Sequence, residues 1–500
     1  MTREQGFPGV LETGRGLPID IVSVFRRTAA RNAGRPFASD CKSTVTYGEA
    51  EERTDAVATA LVKAGVTDGE TLGLCAPDSV ELLFAIIGAW KAGALPAMID
   101  PRTAESELPY FIVDADAKLV ACVPALAERL KTAGARELAD LSELTRPTPG
   151  HGEPSLRHGP TSPLYLSYTS GTTGLPKGAI LESAPVTLGT ACIADRLALT
   201  RRDVLLATTP TASSFQLVAA LMPAIHVGAS IVLVAGMRAE RFVTVGAEHG
   251  ATVLVGYPLT LSDVVNLDVR EPYTFRLALS GGSPLAPRIK RDYRDLLGIP
   301  LAESYGQSEL GGFMALGQLE PDGRALSGFV GRALPDRPSI IWDSGGNEVP
   351  AGQWGEVVVP YGYFTGYKNK PEATAQALRD CVLHTGDLAV SDEDGYLKVL
   401  GRTREQADAE QRAGFLRDAE DAYYEHPDVK HATVVVGKDG TVQAFVELLA
   451  GRDISSDQIA QFAASRVPAG IRPSRTTVLD SMPRSFSGKS DRRRLEQVGS

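Results

Sequence analysis

A loop of serines, threonines and glycines closed by a lysine, Tyr168-Thr169-Ser170-Gly171-Thr172-Thr173-Gly174-Leu175-Pro176-Lys177-Gly178, follows the β-type run Leu164 to Tyr168. Glycines let a backbone turn its N–H groups toward an anion, hydroxyls add donors and a lysine adds charge, so the run reads as a phosphate cradle. It lacks the Gly-x-x-x-x-Gly-Lys-Ser/Thr spacing of a P-loop. A flexible linker is the bland alternative, but a strand-like run leading straight into the loop argues against it.

At 500 residues the chain is too long for one compact core and calls for two or more domains. With 43% hydrophobic and 22% charged residues its composition is that of a globular enzyme, and a net charge of -10 disfavours nucleic acid as a partner. Cys41, Cys75, Cys122, Cys192 and Cys381 lie far apart, without metal-site or redox spacing, and read as small buried thiols of a cytoplasmic protein. The N-terminal residues carry charges and no apolar h-region, so no signal peptide is expected. The uncharged run Phe215 to Met237 approaches the length of a membrane span, but Pro223, His226 and Gly228 divide it into helix, turn and strand, and no membrane partner is expected.

Helical patterns such as Tyr47 to Ala64 and Ser79 to Ala92 alternate with short apolar runs such as Thr71 to Cys75 and Lys118 to Val123. That alternation predicts layered α/β sheets. After the Pro/Gly/His-rich connection Arg146 to Pro160 a second α/β stretch includes expected strands at 204–208, 230–234, 252–255 and 276–280. From about Gly328 to Gly401 the text is β-rich and reads as a small barrel or subdomain. Beyond Arg402 an α+β pattern begins, with a helix over 418–424, a hairpin over 431–448, a helix over 456–466 and a strand over 476–479. The expected fold is therefore α/β, with a large N-terminal domain over residues 1–402, including the β-rich subdomain, and a small mobile α+β domain over residues 403–500.

Four more segments carry possible chemistry. Ser280-Gly281-Gly282-Ser283-Pro284 follows a strand and offers a tight turn whose backbone can lie against a flat ring. Glu303-Ser304-Tyr305-Gly306-Gln307-Ser308-Glu309 joins an aromatic ring, a glycine and an acid able to hold Mg²⁺. His384-Thr385-Gly386-Asp387 places a carboxylate after a glycine turn, suited to two hydroxyls, and Pro483 to Lys489 sets a lysine on a glycine turn. Singly, each has an ordinary explanation as core, turn former or solvated charge.

In order and spacing these segments resemble the ANL superfamily, which includes acyl- and aryl-CoA synthetases, adenylation domains of peptide synthetases and luciferases. The resemblance implies ATP and Mg²⁺ as cofactors and a first half-reaction in which a carboxylate and ATP give an acyl-adenylate and pyrophosphate. It implies that Thr169, Ser170, Gly171, Thr172, Thr173 and Lys177 hold the β- and γ-phosphates. Gly281, Gly282 and Tyr305 would hold adenine, within nucleotide-binding segments that also contain Ser283, Glu303, Ser304, Gly306, Gln307 and Ser308. Asp387 and Arg402 would fix the ribose, Glu309 would bind Mg²⁺, and Lys489 would bridge the attacking carboxylate and the α-phosphate. The implied acyl pocket is lined by Phe215, Leu217, Tyr257, Pro258, Ser280, Gly281, Ser304 and Gly328, small and flat groups that suit an aryl or heteroaryl acid.

Two departures bear on the acceptor. Two positions after Arg402, where relatives hinge on Asp or Lys, stands Arg404, and the stretch Gln406 to Phe415, with acids among its residues, reads as a departure from the basic-plus-glycine signature that helps admit pantetheine. Pro210-Thr211-Ala212-Ser213-Ser214-Phe215 replaces a bulky Pro-Leu-Phe-His. Both point from CoA toward an amine, as in ATP-dependent amide bond synthetases of the marinacarboline type, which the N-terminal text Gly9 to Gly16 also resembles. The competing readings are an aryl- or acyl-CoA ligase, a domain that loads a carrier protein, and a non-catalytic nucleotide-binding protein. Retention of Lys177, Glu309 and Lys489 together argues against the last.

Overall fold

A computed structural model of the chain describes residues 20–40, 42–67, 69–147, 157–169, 175–267, 273–317, 319, 323, 327–403, 414–437, 440–485 and 488–498. Ser170 to Thr173 of the loop, Cys41, the hinge position Arg404 and the stretch Gln406 to Ala413 lie outside the described residues, as do Gly9 to Gly16.

Two large sheets form the bulk of the molecule. One runs, among the described residues, through seven strands in the order Gly366–Tyr367, Gly178–Glu182, Pro163–Tyr168, Leu95–Met98, Thr71–Cys75, Ala117–Cys122 and Leu138–Asp140. Helix Tyr47–Lys63 begins in a capping box between Thr46 and Glu49 and packs on helix Val80–Lys91. The approach is so close that a Cβ at Gly88 would sit 2.4 Å from Val57. At the same contact the buried Lys91 pairs with Asp55 at 2.6 Å and Glu51 at 3.0 Å, which satisfies a charge that could not otherwise be taken out of water.

The second sheet has thirteen strands among the described residues, and its centre is parallel: Pro36–Ser39, Ser230–Leu233, Val204–Ala207, Val253–Gly256, Leu277–Ser280 and Leu301–Gln307. The β-rich stretch does not close into a barrel of its own. Gly312–Leu316 pairs antiparallel with Leu301–Gln307, and the strands Gly331–Ala333, Tyr396–Arg402, Leu383–Ser391, Trp354–Val359 and Ile340–Trp342 continue outward from it. Its first strand, Gly331–Ala333, is thus joined to the parallel sheet through Gly312–Leu316, and the subdomain hangs on that sheet's edge.

The uncharged run after Ser213 also differs from expectation at one point. Pro223 does not end the helix, which continues as Met222–Val227 and stops at Gly228, where φ is +77°. A π turn over Leu217–Leu221 precedes it, with the Met222 N–H reaching back to the Leu217 carbonyl. Such a turn rearranges the carbonyls that a proline's missing N–H and its ring would otherwise disturb. Among the described residues no helix is long and apolar enough to cross a membrane. The described cysteines are free; Cys75 and Cys122 are buried as expected, Cys192 is half-buried, and Cys381 is exposed in a turn.

The C-terminal unit is smaller. Hairpin Val429–Val436 and Val442–Leu448 is antiparallel, Arg475–Leu479 joins it in parallel, and helices Leu416–Tyr424 and Ser456–Ala464 accompany it. It packs against helices Pro258–Val265 and Pro287–Asp292 of the large sheet's periphery, where Leu259 meets Val435, Phe445, Met482 and Leu495.

Candidate active site

The parallel strands Val253–Gly256, Leu277–Ser280 and Leu301–Gln307 end side by side, with Gly256 opposite Ser280 and Ser280 opposite Glu303. Open α/β sheets place ligands at such carboxyl ends. Tyr257 and the Gly281-Gly282 turn leave these ends together. A Cβ on Gly281 would lie 2.2 Å from Ser304 Oγ and 2.6 Å from the Phe215 ring, and one on Gly282, whose φ is +77°, would lie 2.7 Å from Tyr257. Only glycines fit both positions. Ser304 donates to the Ser280 carbonyl at 2.8 Å, pinning the turn, and Ser283 continues it half-buried.

One carboxylate gathers the next three motifs. Asp387 accepts from the Tyr305 hydroxyl at 2.7 Å and from the Gln307 side-chain amide, and it pairs with Arg402 Nε at 2.7 Å. Asp387 and Arg402 are direct partners across the antiparallel pair. Below them Glu356 accepts from the Gly386 N–H at 2.9 Å and bonds His384 Nδ1 at 2.9 Å, so the glycine turn that presents Asp387 is itself held. Burial, and then the charge of Asp387, raise the Tyr305 hydroxyl well above its ordinary pKa, so it remains a donor. Gly306 lies at a bulge between the strands, and Ser308 opens the short turn Ser308–Leu310 that presents Glu309.

At the phosphate loop, Thr169 donates its N–H to the Lys177 carbonyl at 2.9 Å, and the Lys177 N–H reaches Thr169 Oγ1 at 3.4 Å, closing the loop's neck. The Tyr110 hydroxyl holds the Pro176 carbonyl. Lys177 Nζ lies over the Tyr367 ring, 4.7 Å from its centroid, and the Tyr367 hydroxyl donates to Glu309 at 2.5 Å. Tyr367 therefore joins the two charged residues of this end, and sequence reasoning missed it. The signal was the Gly366-Tyr367 pair, which the fold stitches opposite Ala179 and Ile180 beside the loop.

Lys489 comes from the smaller unit. Arg484 bridges to Ser490, the Ser485 N–H donates to the Lys489 carbonyl at 2.8 Å, and Gly488 takes a φ of +89°. This turn lays Lys489 Nζ 5.2 Å from the centroid of the Tyr257 ring and beside Gly282. Burial, with the positive charge of Arg402 adding to it, pushes its ammonium down to about 8.

The expected acyl pocket is partly assembled. Phe215 stands 5.2 Å from Tyr257 and 5.7 Å from Phe313, ring centre to ring centre, and Ser213 Oγ bonds the Tyr257 hydroxyl at 2.5 Å. Leu217 is buried in the π turn, Pro258 opens the helix after Tyr257, and the buried Ser280 hydroxyl has no hydrogen-bond partner among the described residues. Phe313, the third ring, was not anticipated; nothing local to Gly312-Phe313-Met314 marks it. Gly328, expected in this pocket, and Glu303, expected in the nucleotide-binding segment, have other surroundings. Gly328 abuts Lys398 and Pro287, in the turn that leads into strand Gly331–Ala333, which lies beyond Gly312–Leu316 in the sheet. Glu303 is committed to a buried ion pair with Lys290 at 2.6 Å and accepts the Leu285 N–H at 3.0 Å, so its carboxylate braces the turn after Gly281-Gly282 and is not offered to a nucleotide.

Comparison with known proteins accords with this arrangement. The family model described as AMP-binding enzyme matches residues 25–367, and the chain belongs to that family. It is 28% identical over 480 residues to 4-coumarate–CoA ligase 1 of Solanum tuberosum, covering 90% of this chain and 88% of that protein. In structure it is similar to the anthranilate CoA ligase AuaEII in complex with anthranoyl-AMP, with a TM-score of 0.86 and 21% identity over 96% of this chain and 98% of the other. It is also similar to the amide bond synthetase McbA from Marinactinospora thermotolerans, with a TM-score of 0.83 and 23% identity over 96% and 99% of the two chains.

Proposed function

We propose that this chain is an AMP-forming ligase that activates an aryl or heteroaryl carboxylic acid with ATP and passes the acyl group to an amine. The observation that carries the first half is the placement of Lys489, from the C-terminal unit, on Tyr257 and Gly282 beside the Asp387–Arg402 pair. A carboxylate oxygen attacks the α-phosphorus, the bond to pyrophosphate breaks, and the acyl-adenylate remains. Two anions must approach for this, so an ammonium held where they meet lowers the barrier by several kcal/mol. Asp387 accepts the ribose hydroxyls, and the Gly281-Gly282 surface, free of Cβ atoms, receives the flat base. Ser170 to Thr173 and Lys177 hold the phosphates in this reading.

Mg²⁺ fits the donor set: Glu309 supplies a single carboxylate oriented by Tyr367 next to Lys177, and Mg²⁺ is commonly held by one or two carboxylates together with phosphates and water. Bound there, it would neutralise phosphate charge. Tyr367, whose ring lies beneath Lys177 Nζ, holds the Glu309 carboxylate in place through its hydroxyl.

In the second half-reaction the amine nitrogen attacks the acyl carbon, the carbon–oxygen bond to AMP breaks, and the nitrogen's proton leaves to solvent or base. An adenylate is already activated, so the acceptor needs chiefly positioning. The amine reading rests on the small residues Ala212, Ser213 and Ser214; the stretch Gln406 to Phe415 contains Arg412-Ala413-Gly414, a basic residue and a glycine in the expected spacing, so it lends that reading no support. Division into residues 1–402 and a mobile unit of 403–500 that turns about Arg404 belongs to the same proposal, since Lys489 serves only the first step. A CoA thiol is the second reading, favoured by the CoA ligases among the similar proteins. Matched reactions of accepted aryl acids with ATP and either amines or CoA, followed by mass spectrometry, decide between them. Amide formed without CoA supports the proposal; acyl-CoA as the dominant product, with no amide, overturns it.

A further inference from the structure

Helix Pro258–Val265 does two things for Lys489. Its N-terminal flank is Tyr257, the ring on which the lysine lies, and its second turn carries Asp263. Both oxygens of that carboxylate are taken by the smaller unit. Lys430 Nζ stands 2.7 Å and His431 Nε2 3.1 Å from Oδ1, while Arg484 Nη2 stands 2.7 Å from Oδ2. The neighbouring Ser262 hydroxyl donates to the Lys430 carbonyl at 2.9 Å.

Arg484 is the link to the site, because it forms the base of the turn that ends in Lys489 and bridges to Ser490. The other side of the cluster is also braced. Lys430 pairs with Glu447 at 3.0 Å, and Glu447 accepts the Met482 N–H at 2.6 Å, just before the turn begins. Although burial alone would raise it, the hydrogen bonds from His431 and Lys430 and the charge of Arg484 hold the Asp263 carboxyl well below its usual range. Burial pushes the His431 imidazole's own pKa down, so the lasting cations against this carboxylate are Lys430 and Arg484, each 2.7 Å away.

We propose that Asp263 is the positioning residue for Lys489, gripping the base of its turn through Arg484 and so latching the smaller unit onto the site for adenylation. This rests on the adenylation reading above. The spacing along one helix, from ring to carboxylate, sets where the lysine can lie. A misplacement of about 1 Å at a reacting centre costs about a hundredfold in rate, so a grip at the base of a short turn is enough to matter.

The test uses the full chain with Asp263→Ala, Asp263→Glu and Arg484→Ala. Hydrogen exchange at the Ser485 and Gly488 amides reads the latch without reference to activity. Acid-dependent ATP–pyrophosphate exchange reads the first half-reaction, and transfer from a synthetic acyl-adenylate reads the second. Asp263→Ala and Arg484→Ala are expected to speed exchange at those amides and to lower the adenylation kcat by about ten- to a hundredfold, with the KM for ATP within about twofold and transfer unchanged. Asp263→Glu should recover part of the loss. Unaltered amide protection in Arg484→Ala, or equal falls in both half-reactions, overturns the proposal. If the unaltered protein activates no acid, the functional reading fails, while the amide protection still decides whether the latch exists.

Discussion

Arg402 and Lys489 come from opposite ends of the polar site and share it as like charges: the guanidinium that pairs with Asp387 at 2.7 Å also helps depress the lysine's ammonium. The two cations are brought together by the seating of the C-terminal turn against the large sheet. In the absence of anionic substrates that proximity is unfavourable, and a carboxylate and a phosphate between them would relieve it.

A lysine loses its charge as pH rises, and Lys489 does so at about 8 instead of at its ordinary 10.5. In the free enzyme the adenylation kcat/KM should therefore be full below that value and fall above it. Arg402→Gln, by removing a neighbouring positive charge, should move this limb to higher pH even as it lowers the rate. A limb that stays in place would remove Lys489 as its source.

Lys489→Ala should lower acid-dependent pyrophosphate release by about two to three orders of magnitude, the scale on which a charged transition-state donor acts. Transfer from a preformed adenylate should be far less affected. A near-normal release rate would sink the assignment.

Tyr367→Phe deletes the hydroxyl that orients Glu309 and keeps the ring beneath Lys177. A hydrogen bond to a charged group is worth about 1.5–3 kcal/mol, so kcat/KM for ATP should fall by about tenfold or more. Steady-state kinetics with varied Mg²⁺ would check this, and an unchanged value would detach Tyr367 from the site.

Gly281→Ala forces a methyl against Ser304 Oγ and Phe215. Overpacking of this kind costs about 1–3 kcal/mol and should appear as a lower thermal midpoint together with lost adenylation. Adding Ser304→Ala removes one of the two clashing atoms and should restore part of the stability; no drop at all in Gly281→Ala would show that the turn yields.

Lys290→Ala removes the nearer of the two cations facing the buried Glu303, leaving Arg417 at 3.9 Å, and breaking a buried pair costs up to about 3–5 kcal/mol. Urea denaturation should register that loss, and a paired replacement, Lys290→Met with Glu303→Leu, should be closer to neutral. If nucleotide affinity instead fell without a stability change, Glu303 would be a binding residue after all.

Much of this molecule was decided locally and could be read from the chain. Strands such as Thr71–Cys75 and the C-terminal hairpin follow from β-branched and apolar runs between turn residues, and the Tyr47 helix follows from its cap at Thr46. The glycine turns at Gly281-Gly282 and Gly488 were legible because a left-handed or crowded backbone admits little else. Tertiary structure alone decided which side chains these turns face. Tyr367, Phe313 and Asp263 are ordinary residues in ordinary text, and they matter only because distant strands and a second unit bring Glu309, Phe215 and Arg484 to them. The surroundings of Glu303 and Gly328 were hidden for the same reason: a motif carries residue order, whereas the direction a side chain takes depends on its partners in the fold. Glu303 met Lys290. The β-rich stretch likewise announced its strands, but the pairing of Gly331–Ala333 with both Gly312–Leu316 and Tyr396–Arg402, which no short window contains, made it the edge of the large sheet.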